Sequence, residues 1–160
     1  MIKVYDKNVS NIDLQKVYNF CRSQKYTRGE RDNPNDPPTG LVSDLNNKAI
    51  IKLLTRPLKN MKYNIYRSYI NLFLPHEKPY YHTDETDPDA RTLIYYANSE
   101  PLNINDEGET YFVDNEKITG FSPIPGRIIF FPGNILHKAV PFRDRDRYTI
   151  AIKIKLLRSW

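Results

Sequence analysis

With 160 residues, one cysteine and no run approaching ~18 consecutive apolar residues, the chain is long enough for one substantial core and offers neither an intrachain disulfide nor a helical membrane span. Its 24 Lys and Arg against 19 Asp and Glu give a formal charge of +5, mildly basic and short of the footprint of a dedicated nucleic-acid binder. The start, Met1-Ile2-Lys3-Val4-Tyr5-Asp6, lacks the apolar core of a signal peptide, and a lone Cys21 suits a reducing, cytoplasmic setting.

The first third reads as helical. Ser10-Asn11-Ile12-Asp13 offers capping side chains, and Ile12, Leu14, Val17, Tyr18, Phe20 and Cys21 fall near an i, i+3/i+4 stripe that should end by residues 24–26. Cys21 on that stripe reads as a small packed residue. From 27 to 39 the chain is charged and carries Pro34, Pro37 and Pro38, followed by Gly40, which predicts a loop. Residues 44–62 read as a second helix, with Ala49, Ile50, Leu53 and Leu54 on its apolar face and Pro57 as a break or kink.

Strand signals dominate from there. The stretches 63–74, 91–97, 109–113, 127–131 and 148–157 are β-favouring and separated by Gly, Pro, Asn and Asp. Many short strands without intervening helices predict a mainly β fold of sandwich or jelly-roll type. One domain is expected, with a helical part at about 1–62 and a β core at about 63–157. The last strand has the clearest period of two: Arg147, Thr149, Ala151, Lys153 and Lys155 share one face, and Tyr148, Ile150, Ile152, Ile154 and Leu156 the other. The aliphatic face should pack on the helices. The small residues beside Arg147 leave room for a ligand, and a buried Arg needs an anion to offset its desolvation; a dicarboxylate matches its fork.

His82-Thr83-Asp84, His137 and then Arg147, ten residues further on, carry the chemistry. His-x-Asp with a distal His is the spacing of a 2-His-1-carboxylate facial triad, which grips one face of Fe(II) and leaves the other positions open. Around these residues stand Tyr80-Tyr81-His82-Thr83-Asp84, Arg91-Thr92-Leu93-Ile94-Tyr95-Tyr96-Ala97-Asn98, Glu107-Gly108-Glu109-Thr110-Tyr111-Phe112, Pro125-Gly126-Arg127-Ile128-Ile129-Phe130-Phe131 and Arg147-Tyr148-Thr149-Ile150-Ala151.

In that order the chain from about 63 to 156 resembles the 2-oxoglutarate/Fe(II)-dependent dioxygenases, in particular the prolyl-hydroxylase-like branch. The resemblance implies a double-stranded β-helix (jelly-roll) core; the N-terminal third, read above as helical, carries no motif of the family. It implies His82, Asp84 and His137 as iron ligands and Arg147 as the partner of the outer carboxylate of 2-oxoglutarate. Tyr96 and Thr110 match positions that hold that carboxylate or line its pocket, and Tyr69 matches a third, with Tyr66 the alternative alignment. Asp106-Glu107-Gly108 departs from the Gly-Gly pair common in relatives. Implied cofactors are Fe(II), 2-oxoglutarate and O₂, with ascorbate as a reductant; the implied reaction hydroxylates a C–H bond and releases succinate and CO₂.

Other readings stand beside these. Arg147 could pair with Asp144 or Asp146 at the surface, and Tyr96, Thr110 and Tyr69 could be ordinary core residues. His76, after Pro75, reads as a surface histidine. Arg143, Arg145, Arg147, Lys153, Lys155 and Arg158 could form a phosphate-binding patch, though Arg143-Asp144-Arg145-Asp146 reads more naturally as a solvated loop. Trp160 and the many tyrosines read as packing. Residues 28–43 are either a disordered linker or, as their position suggests, a lid over substrate. The partner expected first is a protein or peptide, with proline as first guess; a nucleobase, free amino acid or sugar is the alternative substrate, and a metal-binding jelly-roll module the non-enzyme alternative.

Overall fold

The computed structural model describes residues 1–157; Arg158 and Trp160 lie outside the described residues. A short strand, β1 (Lys3–Tyr5), leads into α1 (Asn11–Ser23). Ser10 caps this helix by accepting from the Asp13 amide at 3.1 Å, which satisfies an amide of the first turn that has no partner within the helix. Val17, Tyr18 and Cys21 form its buried face. Burial pushes the Cys21 thiol up to about 12, as befits a packed residue.

The proline-containing stretch is more ordered than a loop. β2 (Thr27–Arg28) and β3 (Leu41–Asp44) pair as a hairpin, and Arg31 bridges Pro38. The prolines sit towards the tip, where few ladder amides are needed, while the flanks carry the pairing. Asp44 therefore ends a strand, and α2 (Lys48–Leu54) is shorter than the expected helix. Asn47 caps it, and Pro57 lies in a 3₁₀ turn (Arg56–Leu58), since it lacks the amide that an α-helical ladder requires.

The remaining strands are β4 (Tyr63–Phe73), β5 (Ala90–Tyr96), β6 (Thr110–Asp114), β7 (Lys117–Phe121), β8 (Ile128–Pro132), β9 (Leu136–Ala139) and β10 (Arg147–Leu156). The β6–β7 turn uses Asn115 and Glu116 at φ 47° and 67°, a mirror-image turn without the usual glycine, which hid β7 from the sequence reading. One antiparallel sheet runs β1-β8-β5-β10-β4-β3-β2 and a second runs β7-β6-β9. The fold is a jelly-roll core with helices on one side.

β10 lies at the centre of the large sheet, and its two faces divide the molecule. Ile150, Ile152 and Ile154 are 0% exposed and pack with Val17, Cys21, Leu54 and Leu58 from the helical side, as the period of two predicts. Each such side chain contributes about 1.5–3 kcal/mol through burial. Between the sheets, Phe112 packs with Tyr96, Ile129 and Phe131. The other face of β10 carries Arg147, Thr149, Ala151 and Lys153 into a cavity of about 330 Å³. No helix among the described residues is long and apolar enough to cross a membrane.

Candidate active site

The segment after β4 brings His82 and Asp84 to β9. His82 and His137 exchange backbone hydrogen bonds of 3.0 and 2.9 Å, and the Asp84 amide donates to the Gly133 carbonyl at 2.8 Å. Backbone pairing thus joins residues far apart in sequence. His137 is buried, with Phe131 and Phe112 ring centroids at 4.8 and 5.7 Å.

Each imidazole Nδ1 faces a carbonyl: Tyr80 O at 3.0 Å for His82 and Ile135 O at 2.9 Å for His137. A carbonyl only accepts, so both Nδ1 atoms carry hydrogen and both Nε2 atoms present lone pairs. Those Nε2 atoms lie 3.7 Å (His82) and 3.6 Å (His137) from the Asp84 carboxylate oxygens. Bonds of roughly 2.0–2.2 Å place neighbouring donors of one ion about 3–4 Å apart, so the three side chains fit one metal ion. One donor atom from each lies within 4.8 Å of the others.

The electrostatics agree with that use. Burial opposes the Asp84 charge, yet neighbouring His82 and the Lys153 ammonium hold its carboxyl far below the usual range. Burial pulls His137 down to about 4, which keeps it neutral. Burial also acts against charge on His82, but the neighbouring Asp84 carboxylate and the bond to the Tyr80 carbonyl outweigh this and raise it. A metal ion would displace any proton held there.

At the other end of the cavity Arg147 is 2% exposed, which excludes a surface salt bridge. Among the described residues no carboxylate lies within ion-pair distance of it. Its Nε donates to Gly108 O at 2.9 Å and its Nη2 to Thr110 Oγ1 at 3.1 Å. Tyr96 donates to the same Thr110 oxygen at 2.7 Å. Desolvation lowers the Arg147 pKa below its ordinary value, the mark of a cation buried without an anion.

The sequence matches no family model and no curated protein. Among solved structures, a Pseudomonas putida prolyl-4-hydroxylase superposes with a TM-score of 0.74 at 13% identity, covering 96% of this chain and 92% of that one. A viral collagen prolyl hydroxylase from Paramecium bursaria Chlorella virus-1, in complex with 2-oxoglutarate, reaches 0.72 at 18% identity over 98% and 96%. A non-haem α-ketoglutarate-dependent epimerase from nogalamycin biosynthesis reaches 0.71 at 11% identity over 96% and 76%. This chain has the fold of the 2-oxoglutarate/Fe(II) oxygenases.

Within that oxygenase fold the other expected residues divide. Tyr69 lines the cavity with Asn71 and Phe73, whereas Tyr66 is 53% exposed, so the register favours Tyr69. Tyr96 and Thr110 meet Arg147 but stand behind it, off the cavity wall. His76 is exposed, as expected. Glu107 and Gly108 form the turn behind Arg147 at φ 60° and 94°. A Cβ on Gly108 would come within 2.5 Å of the Phe142 ring, so this glycine is required even without a Gly-Gly pair. Arg143 and Arg145 pair with Glu107 and Asp106 at 2.8 and 3.0 Å, which neutralises much of the suggested phosphate patch.

Two contributions go beyond the residues named from the sequence, the first from the stretch expected as a linker or a lid. The 28–40 hairpin supplies Glu30, Arg31, Asp32 and Thr39 to the cavity wall. It is anchored by buried Glu77, which pairs with Arg28 at 2.8 Å and accepts from the Gly40 amide at 2.9 Å. Asp32 reaches the segment that carries His82: it accepts from the Tyr80 amide at 2.7 Å and lies 3.4 Å from His82 Nδ1. The second is Lys153, 7% exposed, whose Nζ lies 2.5 Å from Asp84 Oδ2. Its place on the Arg147 face was the available signal.

Proposed function

We propose that this chain is an Fe(II)- and 2-oxoglutarate-dependent dioxygenase that hydroxylates a C–H bond of a peptidyl residue, with proline the first candidate. One observation carries the reading: the His82, Asp84 and His137 donors and the buried, anion-less Arg147 open onto the same cavity. In this assignment the triad holds Fe(II), and Arg147 forms a bidentate pair with the outer carboxylate of 2-oxoglutarate. Tyr96 and Thr110 orient Arg147 from behind, and Tyr69 lines the cosubstrate pocket. Fe(II), 2-oxoglutarate and O₂ together supply the oxidising power, with ascorbate as a reductant, and succinate and CO₂ leave as products.

The chain's own residues position and shield. Neutral imidazoles and an ionised Asp84 present the required donors. The 28–40 hairpin walls the cavity from solvent and faces incoming substrate. A cytoplasmic, reducing setting would suit both Fe(II) and the buried Cys21.

The two prolyl hydroxylases of the same fold support a peptidyl substrate. The epimerase of that fold keeps open a small-molecule substrate such as a sugar or free amino acid. A nucleobase is less favoured, because Arg143 and Arg145 are already paired.

The test is succinate formation from 2-oxoglutarate under air with Fe(II) and ascorbate. Mass spectrometry of candidate peptides, oligonucleotides and small molecules then reads a gain of one oxygen atom. Absence of succinate with every class would leave a non-catalytic metal-binding jelly roll.

A further inference from the structure

Lys153 is a buried cation beside a site proposed for another cation, an arrangement that like-charge repulsion disfavours. Its surroundings define a task for it. The ammonium has three hydrogens. It lies 2.5 Å from Asp84 Oδ2 and 3.3 Å from Thr92 Oγ1. Thr92, 2% exposed, accepts from Lys153 and donates its own hydrogen to the same Asp84 Oδ2 at 2.6 Å. The directions are consistent: Thr92 Oγ1 accepts from the ammonium and donates to the carboxylate. The two oxygens differ in their donors: Oδ2 receives both bonds, although it also lies 3.6 Å from His137 Nε2, whereas Oδ1 faces His82 Nε2 at 3.7 Å.

We infer that Lys153 is a positioning residue which, with Thr92, reserves Oδ2 of Asp84, so that the carboxylate meets the metal through Oδ1 alone. This inference rests on the metal-site reading above. A carboxylate free to turn could chelate through both oxygens and occupy a position needed by cosubstrate or O₂. Two donors on Oδ2 oppose that rotation.

The experiment uses Co(II) alone as a spectroscopic probe on wild type, Lys153→Met, Lys153→Arg, Thr92→Val and His82→Ala, recording visible d–d bands and affinity without turnover. Lys153→Met should weaken Co(II) binding about tenfold or more. Its bands should also lose intensity as the coordination number rises. Lys153→Arg, which keeps a cationic donor, should recover part of both. Thr92→Val keeps the ammonium, removes one bond to Oδ2 and should shift the bands in the same direction; it carries the test if Lys153→Met does not fold. Tighter Co(II) binding with an unchanged spectrum in Lys153→Met would mean that Lys153 merely neutralises Asp84, and would overturn the inference. Wild-type bands and affinity in both Lys153→Met and Thr92→Val would overturn it as well, while leaving the metal site intact. If wild type binds Co(II) no better than His82→Ala, the metal site itself falls, and the inference with it.

Discussion

Arg147 on β10 and Thr110 on β6 meet at 3.1 Å, linking the two sheets of the jelly roll at the closed end of its cavity. The contact holds a guanidinium in place without neutralising it. An anion entering the cavity therefore finds a charge already desolvated and oriented, so little further ordering opposes its binding.

Arg147→Ala should weaken 2-oxoglutarate binding by roughly 30-fold or more. The basis is a loss of about 2–4 kcal/mol for a partly desolvated, charge-assisted fork, at ~1.4 kcal/mol per tenfold. Arg147→Lys should fall between, keeping the charge and losing the fork. Anaerobic titration of the Fe(II)-loaded protein, followed by the metal-to-ligand absorption band, isolates this step. Unchanged affinity in Arg147→Ala would move the anchor elsewhere, with Arg127 or Arg91 next to test.

Thr110→Val and Tyr96→Phe act from behind the pocket. Thr110→Val removes an acceptor used by both Arg147 and Tyr96, and should lower stability by about 1–3 kcal/mol, the cost of leaving a buried polar group without its partner. Urea unfolding reads that loss. Both variants should weaken 2-oxoglutarate binding less than Arg147→Ala does; a loss equal to that of Arg147→Ala would place these side chains on the ligand itself.

Substitutions in the triad should separate by their effect on the fold. His82→Ala and His137→Ala should abolish succinate formation and leave the protein folded. Asp84→Ala should also stop turnover and, in addition, destabilise the metal-free protein by about 3–5 kcal/mol, because buried Lys153 loses its carboxylate. Thermal unfolding of all three metal-free variants distinguishes these outcomes. Equal melting temperatures would show that the Lys153 charge is accommodated without Asp84.

Glu77 should make the hairpin sensitive to acid. Burial works to raise its pKa, but the Gly40 amide and Arg28 outweigh this and hold it below its ordinary 4.5. A carboxylate with a depressed folded-state pKa contributes stability that is present above 4.5 and is lost as pH falls through the lower folded value. Glu77→Gln should therefore be less stable than wild type near neutrality and lose less between pH 5 and pH 3. Urea midpoints across that range test this; identical slopes for the two proteins would assign the acid sensitivity to other carboxylates.

Trimming the hairpin tip at 33–37 while keeping Asp32 should reduce hydroxylation of a macromolecular substrate far more than uncoupled decarboxylation of 2-oxoglutarate. The proposed cosubstrate pocket lies on β4 and β10, whereas the hairpin lines the cavity from another side and is proposed to face substrate. Equal loss of both activities would indicate a role in folding instead.

The sequence by itself determined the jelly-roll class, the order His82, Asp84, His137 and the cavity-facing phase of Arg147. These follow from short-range rules: alternation along a strand assigns each side chain to a face, and His-x-Asp spacing keeps two donors adjacent. The tertiary structure decided what those faces meet. Cross-strand register set Thr92 beside Lys153 and Tyr69 beside Ala151, and backbone pairing brought His82 to His137. It also turned the proline-bearing stretch into a hairpin that reaches the segment carrying His82 through Asp32. Lys153 marks the boundary. Its face was legible from a period of two, but its bond to Asp84 depends on a segment some seventy residues earlier folding across the sheet, a relation that no local pattern encodes.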